Sequence, residues 1–462
     1  MKGLISAGSL NDHRIDMRIV STYLILFLLV LTQVGAGEEL RISLRDAIDR
    51  ALENNNELRA MESSVSATRA DVGVARSFLL PQLRMEENFV RTDNPVGVFS
   101  IKLNQERFTQ SDFDLNNLNN PDPVSDFETR FSVEQPVLAV QEALAVKSAN
   151  KEYLASAEEF GRRREYIAFR VFESYIAVET AKEFVRVAKK ALEDAKEQLR
   201  IANTRYKTGL GLYSDTLRAS TAVTEAEQQL VSTEKNLSVA KRSLGLLLGL
   251  SDPVDTDAEA NEKITLMEFD YYNDMSRSRK DLKALEYKQE SAKANVRIAE
   301  SGYLPKIGVM GSYQLNDENT PFGAEGDSWL IAGFLKWEIF NGGRREYERA
   351  KAKHLVRQTE ESIEGMKKRV SLQVYESYLS VEESKKNVEL AESSLKTARE
   401  GTRLVRKRYE NSLSPFVDLL DAQVNLDRTR ANLTAQKNEY RKSLAKLAFE
   451  SGTILQVFDI ED

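Results

Sequence analysis

Residues 171–206 and 374–409 carry one long helical pattern twice, about 203 positions apart. Val171, Phe172, Glu173, Ser174 and Tyr175 return as Val374, Tyr375, Glu376, Ser377 and Tyr378, and Arg205-Tyr206 returns as Arg408-Tyr409. Upstream, Leu58 and Ala60 recur as Leu282 and Ala284, and Leu80-Pro81 as Leu304-Pro305, in a register shifted by about 21 positions. The first copy therefore holds a longer loop between Pro81 and Glu173. A whole unit with helical and non-helical parts is duplicated, which restricts the chain to architectures built by repetition: solenoids, barrels or transporters.

No proline falls within 141–209 or 344–411. Proline removes a backbone donor and clashes with the preceding turn, so each stretch is free to run as one helix of roughly 100 Å. Helices that long need partners, as in a coiled coil or an elongated bundle. The 30% of charged residues gives them wet faces. Gly209, Gly211, Ser412, Ser414 and Pro415 then turn the chain back into return helices over 215–249 and 416–449, with Ser414 read as N-cap and Pro415 as the first helical residue. Ser43 caps an earlier helix running to about Phe78 and ended by Pro81; its copy spans 281–301. The Asp-, Glu- and Asn-rich stretch 251–277 reads as a linker between a first repeat, 37–250, and a second, 278–451. A tail, 452–462, follows.

Beyond each proline the period changes from 3.6 to 2. Ile307, Val309, Tyr313 and Leu315 alternate with small or polar residues, as do Phe127, Phe131 and Val133, and Phe99, Ile101 and Leu103. Each copy thus predicts two strands: 82–92 (or 96–105) with 126–137, and 305–315 with 328–340. Strands of about ten residues are long enough to cross an outer membrane. Four cannot close a barrel, and lipid tolerates no open edge, so several chains must pool them. Trp329 and Trp337, the two tryptophans of the chain, fall on one predicted strand, an even number apart and roughly 27 Å along it. That approaches the spacing of the two aromatic girdles of an outer-membrane barrel; packing inside a soluble sheet core is the alternative.

The apolar run Tyr23 to Leu31, with Arg14 and Arg18 before it and Val34-Gly35-Ala36 after it, reads as a signal peptide over 1–36, with Met1 or Met17 as the start. The net charge of −7 is interspersed, giving no basic stripe for nucleic acid. Cys is absent and His occurs at His13 and His354, which excludes thiol chemistry, thiolate metal sites and a lipidated Cys. No nucleophile elbow, phosphate loop or metal-ligand cluster points to an enzyme or a cofactor.

In order along both copies, the Leu-Pro pairs, the segment Trp337 to Gly343, the Arg-Tyr tips, and Asp215, Leu217 and Ala219 with Asp418, Leu420, Asp421 and Ala422 beyond them resemble TolC-like outer-membrane channel proteins, over about residues 40–451. The resemblance implies a mainly α fold with a small β part: duplicated long helical hairpins plus four transmembrane strands per chain. It further implies a homotrimer whose pooled strands form one outer-membrane barrel, continued by an α-helical barrel through the periplasm. A periplasmic adaptor (membrane fusion protein) and an inner-membrane pump would meet it there, in tripartite efflux or type I secretion.

The resemblance also assigns roles. Asp418 and Asp421, three apart on one helix face, would ring the narrow mouth as a cation-selective constriction together with Asp215; acidic complements to the helix dipole are the alternative. Arg205, Tyr206, Arg408 and Tyr409 would hold the closed state, and Gly209, Leu210, Ser412 and Leu413 would meet the adaptor. Trp329 and Trp337 would form the membrane girdle. The chain departs from the family pattern at Leu138-Ala139-Val140, where Phe-x-Gly-Gly is typical, at Ser414, where an arginine is common, and at Arg218, which stands opposite Asp421. A secreted periplasmic coiled-coil scaffold without a channel is the competing reading.

Overall fold

The computed structural model describes residues 40–257 and 265–460. The signal peptide read over 1–36 lies outside the described residues. β1 (Leu40–Ile42) pairs in parallel with β4 (Val254–Thr256). α1 (Leu44–Asn54) begins at Ser43, whose hydroxyl accepts the Asp46 amide. The helix expected to continue to Phe78 breaks at Asn55, which is extended and accepts the amides of Glu57 and Leu58, so α2 (Asn56–Ser77) starts afresh. An Asn side chain competes for backbone amides and favours a new N-terminus over continuation. Its Nδ2 also donates to the Leu247 carbonyl at 3.0 Å.

β2 (Gln82–Thr92) follows, but residues 96–105, the alternative strand, are α3 (Pro95–Asn104). Asn94 accepts the amides of Val96 and Gly97 at 3.1 Å each, and Pro95 opens the first turn. A side-chain cap and a preset φ outweigh the apolar alternation. After the short α4 (Leu115–Asn119) comes β3 (Val124–Leu138). The first long hairpin is α5 (Val140–Lys207) and α6 (Tyr213–Leu247).

The stretch read as a linker carries β4 and α7 (Phe269–Ser276), which stands before α8 (Lys280–Ser301) as α1 stands before α2. The second copy thus begins ahead of residue 278. It continues through β5 (Lys306–Asp317), β6 (Gly326–Lys336), α9 (Arg344–Glu410) and α10 (Phe416–Ser451). The tail turns at Gly452 into α11 (Ile454–Val457), whose Ile454 and Leu455 join Phe172, Ile176, Leu244 and Leu248 in the main core. The Tyr175 hydroxyl donates to the Ile42 carbonyl at 3.2 Å and so fixes β1 to that core. Beside it the buried Arg279 binds Asp281 at 2.7 Å and Glu450 at 3.1 Å, which keeps the charges where the two copies join paired.

The sheet order is β2-β3-β5-β6, antiparallel throughout. Its register puts Leu83, Met85, Phe89, Phe131, Val133, Ile307, Val309, Tyr313, Trp329, Ile331 and Leu335 on one exposed face. Gln82, Arg84, Glu86, Glu128, Arg130 and Glu134 lie on the other. Trp329 stands in a row with Met85, Phe131 and Tyr313. Trp337 does not share its strand: it is one residue past β6, where the chain leaves the sheet for α9, and its Nε1 donates to the Tyr303 carbonyl at 3.2 Å. Near the sheet the helices lie in the order α2-α5-α8-α9, and farther away in the order α6-α5-α10-α9. No helix among the described residues is long and apolar enough to cross a membrane.

Candidate pore constriction at the helical tips

Both hairpins close with the same turn. After α5, Gly209 is left-handed (φ +74°), its amide donates to the Tyr206 carbonyl at 3.0 Å, and the Leu210 amide reaches the Arg205 carbonyl at 2.8 Å. After α9, Ser412 (φ +61°) and Leu413 repeat both bonds, to Tyr409 and Arg408, at the same distances. This is the Schellman closure, which satisfies the last helix carbonyls. Ser412 carries the left-handed strain that Gly209 avoids. Leu210 and Leu413 are each 68% exposed at the extremity.

Arg205 bridges the two tips. Its guanidinium donates to the Glu410 carbonyl at 3.0 Å, to the Ser412 hydroxyl at 2.7 Å and to the Leu210 carbonyl at 3.2 Å, with its carbon 4.9 Å from the Tyr409 ring centre. The Tyr409 and Phe416 rings, 5.4 Å apart, are buried against Ala202, Ala219 and Leu419. Burial pushes the Tyr409 hydroxyl pKa up, against the pull of Arg205. The matching pair of the first hairpin, Tyr206 and Tyr213, has the same 5.4 Å ring separation but is exposed. Arg408, the counterpart of Arg205, is exposed as well.

Asp418 and Asp421 are exposed on the first turns of α10, and Asp215 is half-buried at the start of α6. Ser414 is not the N-cap. Pro415 holds that position in extended conformation, and the Ser414 hydroxyl, one residue too early to reach the helix amides, donates to Asp418 Oδ2 at 2.5 Å. A cleft of 740 Å³ between the tips is lined by Arg205, Asp215, Arg218, Tyr409 and Phe416, and Asp418 and Asp421 stand outside it. No metal-holding group of His, Cys, Asp and Glu occurs among the described residues.

Sequence reasoning missed a second polar level. Gln423 Nε2 donates to Asp194 at 3.1 Å and to Asp427 at 3.2 Å, and Arg430 binds Asp427 at 2.9 Å and Asp194 at 3.3 Å, joining α5 to α10. Burial raises the Asp427 pKa, opposed by Gln423 and Arg430. In the sequence these residues are isolated polar positions in an amphipathic helix, and nothing marks them as facing one another. The aromatic pairs Tyr213 and Phe416 were legible in principle, since both copies carry a ring at that place.

A family model described as outer membrane efflux protein matches residues 47–250 and 271–453. The alkaline protease secretion protein AprF of Pseudomonas aeruginosa is 22% identical over 96% of this chain and 91% of its own length. Among solved structures, a membrane protein from Pseudomonas aeruginosa superposes with a TM-score of 0.76 at 19% identity, over 88% of this chain and 93% of that one. CusC, described as forming a transmembrane channel, superposes with a TM-score of 0.75 at 16% identity, over 91% and 92%.

Proposed function

The chain belongs to the outer membrane efflux protein family, as an outer-membrane channel component rather than an enzyme, and we propose that three copies close into one conduit that substrates cross passively. An inner-membrane pump and a periplasmic adaptor deliver those substrates. The observation that carries the reading is the consistent openness of every layer. The sheet is open at β2 and β6, the upper helices at α2 and α9, the lower helices at α6 and α9. Each layer thus has one edge from the first copy and one from the second, the arrangement of a head-to-tail interface whose rotation closes a ring. Exposed Leu217, Val231, Leu372, Leu379, Leu390 and Leu404 run along α6 and α9 and supply the apolar seam.

Three copies pool their strands into one barrel without lipid-exposed edges. An 11-residue strand such as β2, tilted by about 40°, rises roughly 27 Å, close to the apolar band of such barrels. Trp329 marks its outer girdle and Trp337 its inner one.

The duplication also furnishes contacts at the tips. Within a chain, Tyr409 and Phe416 sit on Ala202 and Ala219 of the first hairpin. Across the seam, Tyr206 and Tyr213 take the equivalent place on Val405 and Ala422 of the next copy, and Arg408 acts as Arg205 does. Six alternating latches hold the mouth closed. Asp418 and Asp421, with Asp215 behind them, ring that mouth and raise the local cation concentration. Gly209, Leu210, Ser412 and Leu413 present the end to which the adaptor docks. Protein cargo stands beside small molecules, on the strength of the nearly full-length match to AprF.

Reconstitution in a planar bilayer tests the reading. Discrete conductance steps are expected; a folded protein that stays in the aqueous phase and never conducts would instead be a periplasmic scaffold.

A further inference from the structure

We propose that the insert between β2 and β3 is an outer gate, in which three copies of α3 meet near the channel axis and narrow the extracellular mouth. The inference rests on the trimeric reading above. Its first support is the face of the sheet that α3 occupies. Val124, Asp126, Asn316 and Gly326 share the parity of the polar face, opposite Phe131 and Trp329, so they point into the lumen. α3 lies on them. Val98 and Ile101 bury against Val124. Gln105 Nε2 donates to Asp126 Oδ1 at 2.8 Å, and Asn316 Nδ2 closes on Asp126 Oδ2 at 2.8 Å. At the far edge, a Cβ on Gly326 would collide with the Asn104 carbonyl. The helix therefore crosses the outer end of the sheet from β3 to β6, on the lumen side.

The space available decides what three such helices do. Twelve strands spaced about 4.8 Å apart and tilted about 40° enclose a barrel roughly 24 Å across. A helix with its side chains is about 10 Å thick. Three of them, anchored on the wall, occupy most of the opening.

The free side of α3 has the composition such a meeting needs. Val96, Ser100 and Leu103 follow at helical spacing on the side away from the wall, with Val96 74% and Leu103 48% exposed. Val96 and Leu103 are apolar and aimed at a water-filled lumen, and their equivalents from the two other copies would cover them there.

The chain has no cysteine, so Leu103→Cys introduces a lone thiol. In the detergent-purified assembly, mild oxidation is expected to link two of every three chains at that thiol. In a background opened at the periplasmic tips by Arg205→Ala with Arg408→Ala, replacing Val96→Asp together with Leu103→Asp is expected to raise single-channel conductance several-fold over that background, which serves as the parent. Native mass is measured on the same samples. A trimer in which Leu103→Cys does not link, or in which the double variant conducts like the parent, overturns the gate alone. A monomer overturns the trimeric reading beneath it.

Discussion

The Arg205 guanidinium stacks 4.9 Å from the centre of the Tyr409 ring while bonding the backbone and hydroxyl of the second hairpin, so one side chain joins both tips of a chain. Charge-assisted bonds of this kind contribute about 2 kcal/mol net, which is roughly thirtyfold in an open–closed equilibrium. Arg205→Ala is expected to raise the basal conductance in bilayer recordings with little loss of fold. Arg408→Ala, at the proposed seam, should do the same to a similar extent. Tyr409→Phe keeps the ring stack and should leave conductance at the parent level; a leak from that variant would place the latch in the hydroxyl instead.

Asp418 and Asp421 are exposed, and neither caps the helix backbone, so their removal leaves the start of α10 to Pro415 and the buried Phe416 and Leu419. Replacing both with Ala should weaken cation selectivity and abolish any block by multivalent cations. Reversal potentials in a salt gradient measure this, and unchanged potentials would reduce the pair to complements of the helix dipole.

Ser412 holds a left-handed backbone and also accepts from Arg205 at 2.7 Å. Ser412→Gly relieves about 1 kcal/mol of strain and loses a bond of similar size. Thermal stability should therefore stay nearly constant while the leak increases. Gly209→Ala has open space around its new Cβ but a φ of +74°, and should lower stability by about 1–2 kcal/mol. Heat-dependent dissociation on a gel separates the two.

Asp112, in the outer insert, is pulled down to a pKa of about 2 by Lys102, 2.7 Å away, and then by the Thr109 amide and hydroxyl. A carboxyl depressed in the folded state stabilises it above the ordinary value near 3.8, and that contribution is lost as pH falls through about 2. Acidifying the outer side from pH 5 to 2 should loosen the insert and raise conductance. Asp112→Asn should remove that pH response, and a variant that kept it would assign the response to another group.

The long helices and the hairpin tips were legible because their signals are cumulative: dozens of positions without proline, and two copies that check each other. The breaks were not. Phe99, Ile101 and Leu103 alternate as a strand would, yet Asn94-Pro95 starts a helix, and that local cap was the signal to weigh. Asn55 splits one expected helix through side-chain competition that no periodicity records. The 251–277 stretch is polar overall, but Tyr272 is buried on Val374 and Leu447. Of the candidate site, the acidic and Arg-Tyr positions were named through the family resemblance, and their contacts were not. That Arg205 pairs within the chain while Arg408 is left exposed depends on which hairpin lies beside which, and only tertiary packing decides that.

In the proposed assembly each chain is an open segment of a ring completed by two others. The native mass of the detergent-extracted protein tests it most directly. A single species of three chains, which dissociates only when the seam is disrupted by changes such as Leu379→Asp with Leu217→Asp, is the predicted result; a stable, folded monomer would contradict it.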